Sequence, residues 1–167
     1  MPTDFLTELR WRGLAHERSD GLDARLARGP ISAYIGFDAS ARSLHVGHLL
    51  QVFLLVHLQR AGGAPVIVIG GATGMIGDPS GKSSERKLLD DATIEANAAA
   101  LRSQLERFVD FSPGPAQARM VDNREWLAGM SVLTYLRDIG KHFTIPYMLA
   151  KDSVQARLAA GMSFTEF

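Results

Sequence analysis

The chain has 167 residues, 46 % of them hydrophobic, with 16 glycines, enough for one ordered domain with a substantial core. Eighteen basic residues balance 18 acidic ones, so bulk charge advertises neither duplex nucleic acid nor an anionic membrane as partner, and a bound anion has to be held locally. The absence of cysteine excludes a disulfide framework and a thiolate zinc site and fits a reducing cytosol.

Asp4, Glu8, Glu17 and Asp20 interrupt the first 30 positions, so neither a signal peptide nor a membrane span is expected there. Phe5, Leu6, Leu9 and Leu14 recur at roughly helical spacing, and Leu22 to Ala27 predicts a second short helix stopped by Arg28, Gly29 and Pro30. Residues 1–30 thus read as a helical lead-in. "ISAYIGF" (31–37) is short, β-branched and aromatic, and is bounded by Pro30 and Asp38, which predicts a strand. From His45 to Ala61 the apolar positions Leu49, Leu50, Val52 to Val56 and Leu58 cover nearly the whole circumference of a helix, which is expected to be buried. "APVIVIGG" follows as a strand whose unbroken Val66 to Ile69 run suits a central position covered on both faces, the habit of parallel sheets.

A glycine-rich loop is expected next, "GGATGMIGDPSGK" (70–82). Ile94, Ala98, Leu101, Leu105, Phe108 and Val109 mark one face of a long amphipathic helix, "QARMVDN" (117–123) predicts a third strand, and 124–139 read as helix again. The order strand, helix, strand, helix, strand is half of a doubly wound, Rossmann-like α/β fold with a parallel sheet. "SFTE" (163–166) is a capping box announcing a helix cut short at Phe167, so the chain is expected to be the first part of a longer protein.

The unusual residues follow strand ends. Asp38 and "SLHVGH" follow the first strand, the glycine-rich stretch the second, and Asp122 with Asn123 closes the third. In an open parallel sheet the ligand crevice lies outside the carboxyl ends of the strands, so three stretches point to one place. His45 and His48 admit three readings: metal ligands, a capping pair without a ligand, or donors to an anion. A metal needs a third ligand and an ordered second shell, which the spacing does not supply. An anion is the best supported, because the pair sits at a helix start where four amides lack partners and the dipole is positive. Gly47 lets a flat ligand approach the backbone. "GDPSGKSS" (77–84) is close to a phosphate-binding Walker loop but has three residues, not four, between Gly77 and Gly81. Its alternatives are a plain turn with solvated Lys82, Arg86 and Lys87, or a basic loop that closes over a polyphosphate. Trp126 and Phe164 read as packing residues.

"YIGFDASARSLHVGH" followed by "GGATGMIGDPSGKSSER" resembles the amino-terminal half of the catalytic domain of the bacterial tyrosyl-tRNA synthetases, class I aminoacyl-tRNA synthetases. The histidine motif matches that class's HIGH signature with valine in second place, and "WRGL", "YLRDIGKHF" and "SFTEF" extend the likeness from Phe5 to Phe167. The resemblance implies residues 31–167 as the first half of the catalytic domain, and a cytoplasmic, homodimeric tyrosine-tRNA ligase. Its partners would be L-tyrosine, ATP with Mg2+ as a substrate complex, and tRNA(Tyr), with no tightly bound cofactor and no membrane.

By the same resemblance, His45 and Ser40 meet the outer phosphates, His48 the ribose side of ATP, Gly47 the adenine, and Asp38 with Gly36 the ribose and substrate backbone. Lys82 and Arg86 clamp departing pyrophosphate, Tyr34 pairs with the substrate phenol, and Asp78 with Thr73 takes its ammonium. Ser40 stands where threonine is usual, and Ala39 where proline is common. The rest of the amino-acid pocket, the KMSKS loop and the tRNA-binding portions would lie beyond Phe167, so residues 1–167 alone are expected to be inactive or nearly so. The alternatives are a binding module without turnover and a tryptophan-specific relative of the same fold.

Overall fold

The computed structural model describes residues 4–76, 89–158 and 161–162. Three strands, β1 (Ser32–Phe37), β2 (Ala64–Ile69) and β3 (Arg119–Asp122), form a parallel sheet in the order β1-β2-β3. Tyr34 pairs with Val66, Gly36 with Val68 and Phe37 with Ile69, and on the other edge of β2 Val66 pairs with Arg119, Val68 with Val121 and Ile69 with Asp122. Side chains alternate along a strand, so Phe37, Ile67 and Ile69 face one way and Tyr34, Gly36, Val66 and Val68 the other.

Two 15-residue helices, α3 (Val46–Arg60) and α5 (Asp91–Leu105), cover the first of these faces. The core joins Phe37, Ile67 and Ile69 to Val52, Leu55 and Val56 of α3 and to Ile94, Leu101 and Leu105 of α5. At about 1.5–3 kcal/mol for each large side chain taken out of water, these contacts fix the two helices against the sheet. In front of them, Leu6 and Leu9 of α1 (Phe5–Trp11) are buried and α1 packs on α3, while α2 (Leu22–Leu26) buries nothing fully. Both α1 and α2 precede β1 in the chain.

Several expectations need correction. Although α3 is apolar around its circumference, it is buried on one side only: Val46 is 83 % exposed, Leu50 55 % and Phe53 43 %. Three strands and α5 cannot wrap a whole helix, so its outer stripe remains uncovered among the described residues. Likewise β2 is central, but only its Pro65, Ile67 and Ile69 side is fully buried; Val66 and Val68 lie on a half-open face. The glycine-rich stretch after β2 opens as a helix, α4 (Gly71–Ile76), rather than a loop. Gly74 N donates to Gly70 O at 2.8 Å and Asn123 Oδ1 accepts Ala72 N at 2.7 Å, so a side chain from β3's end supplies the cap that local sequence lacks.

Finally, 124–139 are two helices, α6 (Arg124–Leu127) and α7 (Val132–Asp138), because Ser131 starts a new helix by accepting Thr134 N at 3.1 Å. A 3-10 turn at Gly140–His142, α8 (Ile145–Leu149) and α9 (Asp152–Leu158) follow. α5 ends at Leu105, and Phe108 and Val109 lie in the turn beyond it. Trp126, expected to pack, is 48 % exposed. The capping box at Ser163 and Phe164 fall outside the described residues. Among the described residues no helix is long and apolar enough to cross a membrane.

Candidate functional site

The carboxyl ends of the three strands are tied together by backbone hydrogen bonds. Gly70 N donates to Phe37 O at 2.9 Å and Asn123 N to Ile69 O at 3.0 Å, so the exits of β1, β2 and β3 lie side by side. Gly70 is the crossing point. A Cβ built on it would stand 2.6 Å from Thr73 Oγ1 and 2.7 Å from Asp38 Oδ1, which places the Asp38 carboxylate and the Thr73 hydroxyl on either side of one bare backbone position. Asn123 is buried and sends its Nδ2 to Thr73 Oγ1 at 3.5 Å while its Oδ1 caps α4.

The next turn of the crevice carries the histidines. His45 is the N-cap of α3; its Nδ1 accepts Gly47 N at 3.1 Å, and His45 N donates to His48 Nδ1 at 3.1 Å. The two rings lie 3.9 Å apart between centroids. Both Nδ1 atoms are therefore acceptors, which leaves each neutral imidazole with its proton on Nε2. Burial, followed by the neighbouring His45, lowers the pKa of His48 from the ordinary histidine value, against an opposing pull from Asp38.

This geometry changes how an anion would be met. His45 Nδ1 takes the Gly47 amide, and His45 O takes His48 N at 2.9 Å, so two early amides of α3 are already satisfied. The donor left on each neutral ring is Nε2–H. Gly47 also has a local reason to be glycine, since a Cβ there would lie 2.9 Å from His45 Cε1. Among the described residues no group of three or more His, Asp or Glu could hold a metal ion.

Tyr34 lies further back along β1. It shares the open sheet face with Gly36, is 75 % exposed, and sits about 13 Å back from Asp38 along the strand direction. A Cβ on Gly36 would meet nothing within 4 Å. Tyr34 and Gly36 lie on one side of β1, Asp38 follows the end of the strand, and Ser40 is exposed in the loop beyond. Asp78, Lys82 and Arg86 lie outside the described residues.

Several supporting contacts are not anticipated from the sequence, though Asp122 itself stands out there at the end of the third strand. Asp122 takes Arg124 N at 2.8 Å, Nε at 2.9 Å and Nη2 at 2.9 Å. The hydrogen bond to Asp122 first, and then the charges of Asp122, Asp91 and Glu95, raise the pKa of Arg124. A Cβ on Gly71 would overlap that carboxylate, so Gly71 lets α4 approach β3. Asn97 offered a signal, an amide in the apolar row between Ile94 and Leu101; Gln104 and Arg124 offered none.

Comparison with known proteins accords with this geometry. Residues 26–167 match the family model of the tRNA synthetases class I (W and Y). The chain is 57 % identical over 164 residues to the tyrosine–tRNA ligase of Anaeromyxobacter dehalogenans strain 2CP-1, and 53 % over 167 residues to that of Roseiflexus castenholzii. These alignments cover 98 % and 99 % of the chain but 39 % of each relative, so the chain spans about two-fifths of their length. Among solved structures, a C-terminally truncated mitochondrial tyrosyl-tRNA synthetase of Aspergillus nidulans superposes with a TM-score of 0.83 at 29 % identity, covering 98 % of this chain and 50 % of that one. The counterpart from Coccidioides posadasii gives 0.79 at 32 %, covering 98 % and 48 %. A parallel α/β sheet of this order, matched by that model over 142 of its residues, means that the chain belongs to the class I tRNA synthetases of the tryptophan and tyrosine family.

Proposed function

We propose that the full-length protein is a tyrosine–tRNA ligase that activates L-tyrosine with ATP, supplied as its Mg2+ complex, and passes the tyrosyl group to tRNA(Tyr). First, a carboxylate oxygen of tyrosine attacks the α-phosphorus of ATP. The bond from that phosphorus to the oxygen bridging to the β-phosphate breaks, and pyrophosphate leaves. Then a hydroxyl of the terminal ribose of tRNA attacks the carbonyl carbon, its proton is released, and AMP departs.

Within this reading residues 31–167 are the amino-terminal half of the catalytic domain and 1–30 its helical lead-in, in a cytoplasmic homodimer. His45 and Ser40 contact the outer phosphates, His48 the ribose side of ATP and Gly47 the adenine. Asp38 and Gly36 take the ribose and substrate backbone. Thr73 with Asp78 binds the ammonium of tyrosine, and Lys82 with Arg86 clamps departing pyrophosphate. Positioning and charge stabilisation supply the acceleration, and neutral Nε2–H donors suit phosphate oxygens whose charge grows as the bond breaks. Tyr34 presents a hydroxyl on the open sheet face, where it pairs with the substrate phenol. A site built to pair with a hydroxyl is left with an unsatisfied polar group when that hydroxyl is missing, and tyrosine-specific synthetases are the standard illustration of this principle.

The observation that supports the reading is that Asp38 and Thr73 meet at Gly70 and that the Asp38 charge reaches His48 of the imidazole pair, in a chain 57 % identical to a tyrosine–tRNA ligase. The test is ATP–pyrophosphate exchange by the full-length protein with each amino acid in turn. Exchange that depends on tyrosine supports the ligase. Exchange driven better by tryptophan moves the protein to the other branch of the family, and no exchange with either leaves a binding module.

A further inference from the structure

Residues 38 to 44 join β1 to α3, carrying Asp38 and Ser40 and leading directly into the His45 cap. Two amide side chains of α5 reach this loop. Asn97 Nδ2 donates to Ala39 O at 2.7 Å; Gln104 Oε1 accepts Leu44 N at 3.0 Å, and Gln104 Nε2 donates to Arg42 O and to Ala100 O, each at 2.9 Å. Asn97 and Gln104 are seven residues apart, two turns of helix, and so share one face.

Their placement runs against stability taken alone. Asn97 is 4 % exposed and occupies a core position between Ile94 and Leu101. Leucine would bury more apolar surface there, and asparagine is the weaker helix former. A buried carboxamide is tolerated because it is hydrogen-bonded, and its bond is spent on the loop. At the loop's other end, the amide held by Gln104 is that of the residue immediately before the N-cap. A shift of Leu44 therefore moves the His45 ring, and with it the acceptor of Gly47 N and the donor to His48 Nδ1.

We propose that Asn97 and Gln104 are positioning residues for adenylate formation, which act through the 38–44 loop to hold Ser40 and the His45 cap in register with β1. The inference rests on the ligase reading above. A reacting group misplaced by about 1 Å costs far more in rate than in folding, whereas Tyr34 and Thr73, which take the phenol and the ammonium of tyrosine in that reading, lie outside this loop.

The experiment uses the full-length protein with Gln104→Ala, a truncation that α5 accommodates, and Gln104→Glu, which keeps an acceptor for Leu44 N. Val109→Ala, in the core just past the end of α5, serves as a control for lost stability. Gln104→Ala is expected to speed hydrogen exchange at the Leu44 amide about tenfold and to lower kcat for tyrosine-dependent pyrophosphate exchange about tenfold, with KM for tyrosine within about twofold. Gln104→Glu, which keeps the acceptor for Leu44 N but loses the donor to Arg42 O, recovers part of the Leu44 protection and of kcat, and Val109→Ala lowers the melting temperature without either change. A Gln104→Met variant supplies the same comparison where the alanine variant is too unstable to assay. Unchanged protection at Leu44, a kcat loss shared by Val109→Ala, or a tyrosine KM that rises in step with the kcat loss would overturn the assignment. Failure of the wild-type protein to exchange rejects the ligase reading instead, while Leu44 protection in the variants still decides whether Gln104 holds the loop.

Discussion

Replacing Gly70 by alanine tests whether Asp38 and Thr73 act together. The added methyl would stand 2.6 Å from Thr73 Oγ1, 2.7 Å from Asp38 Oδ1 and 3.5 Å from Asp38 Cα, the first two inside van der Waals contact. The backbone cannot retreat easily, because Gly70 N is bound to Phe37 O at 2.9 Å and Gly70 O to Gly74 N at 2.8 Å. Gly70 has no positive φ, so alanine is strained by contacts alone. Overpacking of this kind costs about 1–3 kcal/mol, and the lower entropy of the unfolded chain returns about 0.4–1 kcal/mol. The two side chains that must yield are half-buried ones at the crevice, so the penalty appears as misplaced substrate contacts. We expect kcat/KM for tyrosine-dependent pyrophosphate exchange in the full-length protein to fall about 10- to 100-fold. Gly114→Ala, where a Cβ meets nothing within 4 Å, should be neutral. A Gly70→Ala enzyme within twofold of wild type would show that these two side chains do not share a substrate, and would refute the reasoning.

Gly36→Ala is the converse case: the methyl meets no described atom, so thermal stability should hold while kcat/KM falls, and an unchanged kcat/KM would remove Gly36 from the substrate's path. Tyr34→Phe should narrow discrimination between tyrosine and phenylalanine by about tenfold, the worth of one hydrogen bond, with KM for ATP unaltered; an unchanged ratio counts against the assignment. His45→Ala should slow adenylate formation about 100- to 1000-fold in single-turnover assays with tyrosine affinity nearly intact, and a large loss of that affinity would mean the residue is misplaced. Burial and His45 depress the pKa of His48 in the folded state, so neutral His48 contributes stability above its unfolded value of about 6.5, and that contribution is lost as pH falls through the folded value. NMR titration of His48 in the full-length protein should give a value below that of a free histidine, rising when His45 is replaced by alanine; a value at or above 6.5 contradicts the capping geometry.

Much of the fold was legible because its signals are local. The Val66 to Ile69 run, the Ile94, Leu101 and Leu105 spacing and the β-branched stretch before Asp38 each predict an element that the structure contains. What misled was tertiary. Helix α4 owes its cap to Asn123, 51 residues away, which no window around Gly71 could reveal. The apolar circumference of α3 suggested burial all round, yet hydrophobicity reports what a helix can bury and not what is present to cover it. The convergence of three strand ends followed from the parallel order alone, and the histidine spacing marked the rim. The tautomers did not follow from spacing: that both neutral imidazoles carry their proton on Nε2 depends on which backbone amides their Nδ1 atoms accept. Gln104 was invisible for a plainer reason, since a glutamine on a helix is ordinary until the loop it holds is known.

Tyrosinol lacks the carboxylate that attacks phosphorus, so the full-length protein crystallised with tyrosinol, ATP and Mg2+ cannot react and displays both substrates in place. The expected map shows one continuous ligand density, with the phenol at the Tyr34 hydroxyl, the ammonium beside Thr73 and the triphosphate reaching the Nε2 atom of His45. Tyrosinol bound away from the open face of β1, or a triphosphate out of reach of both imidazoles, would contradict the account.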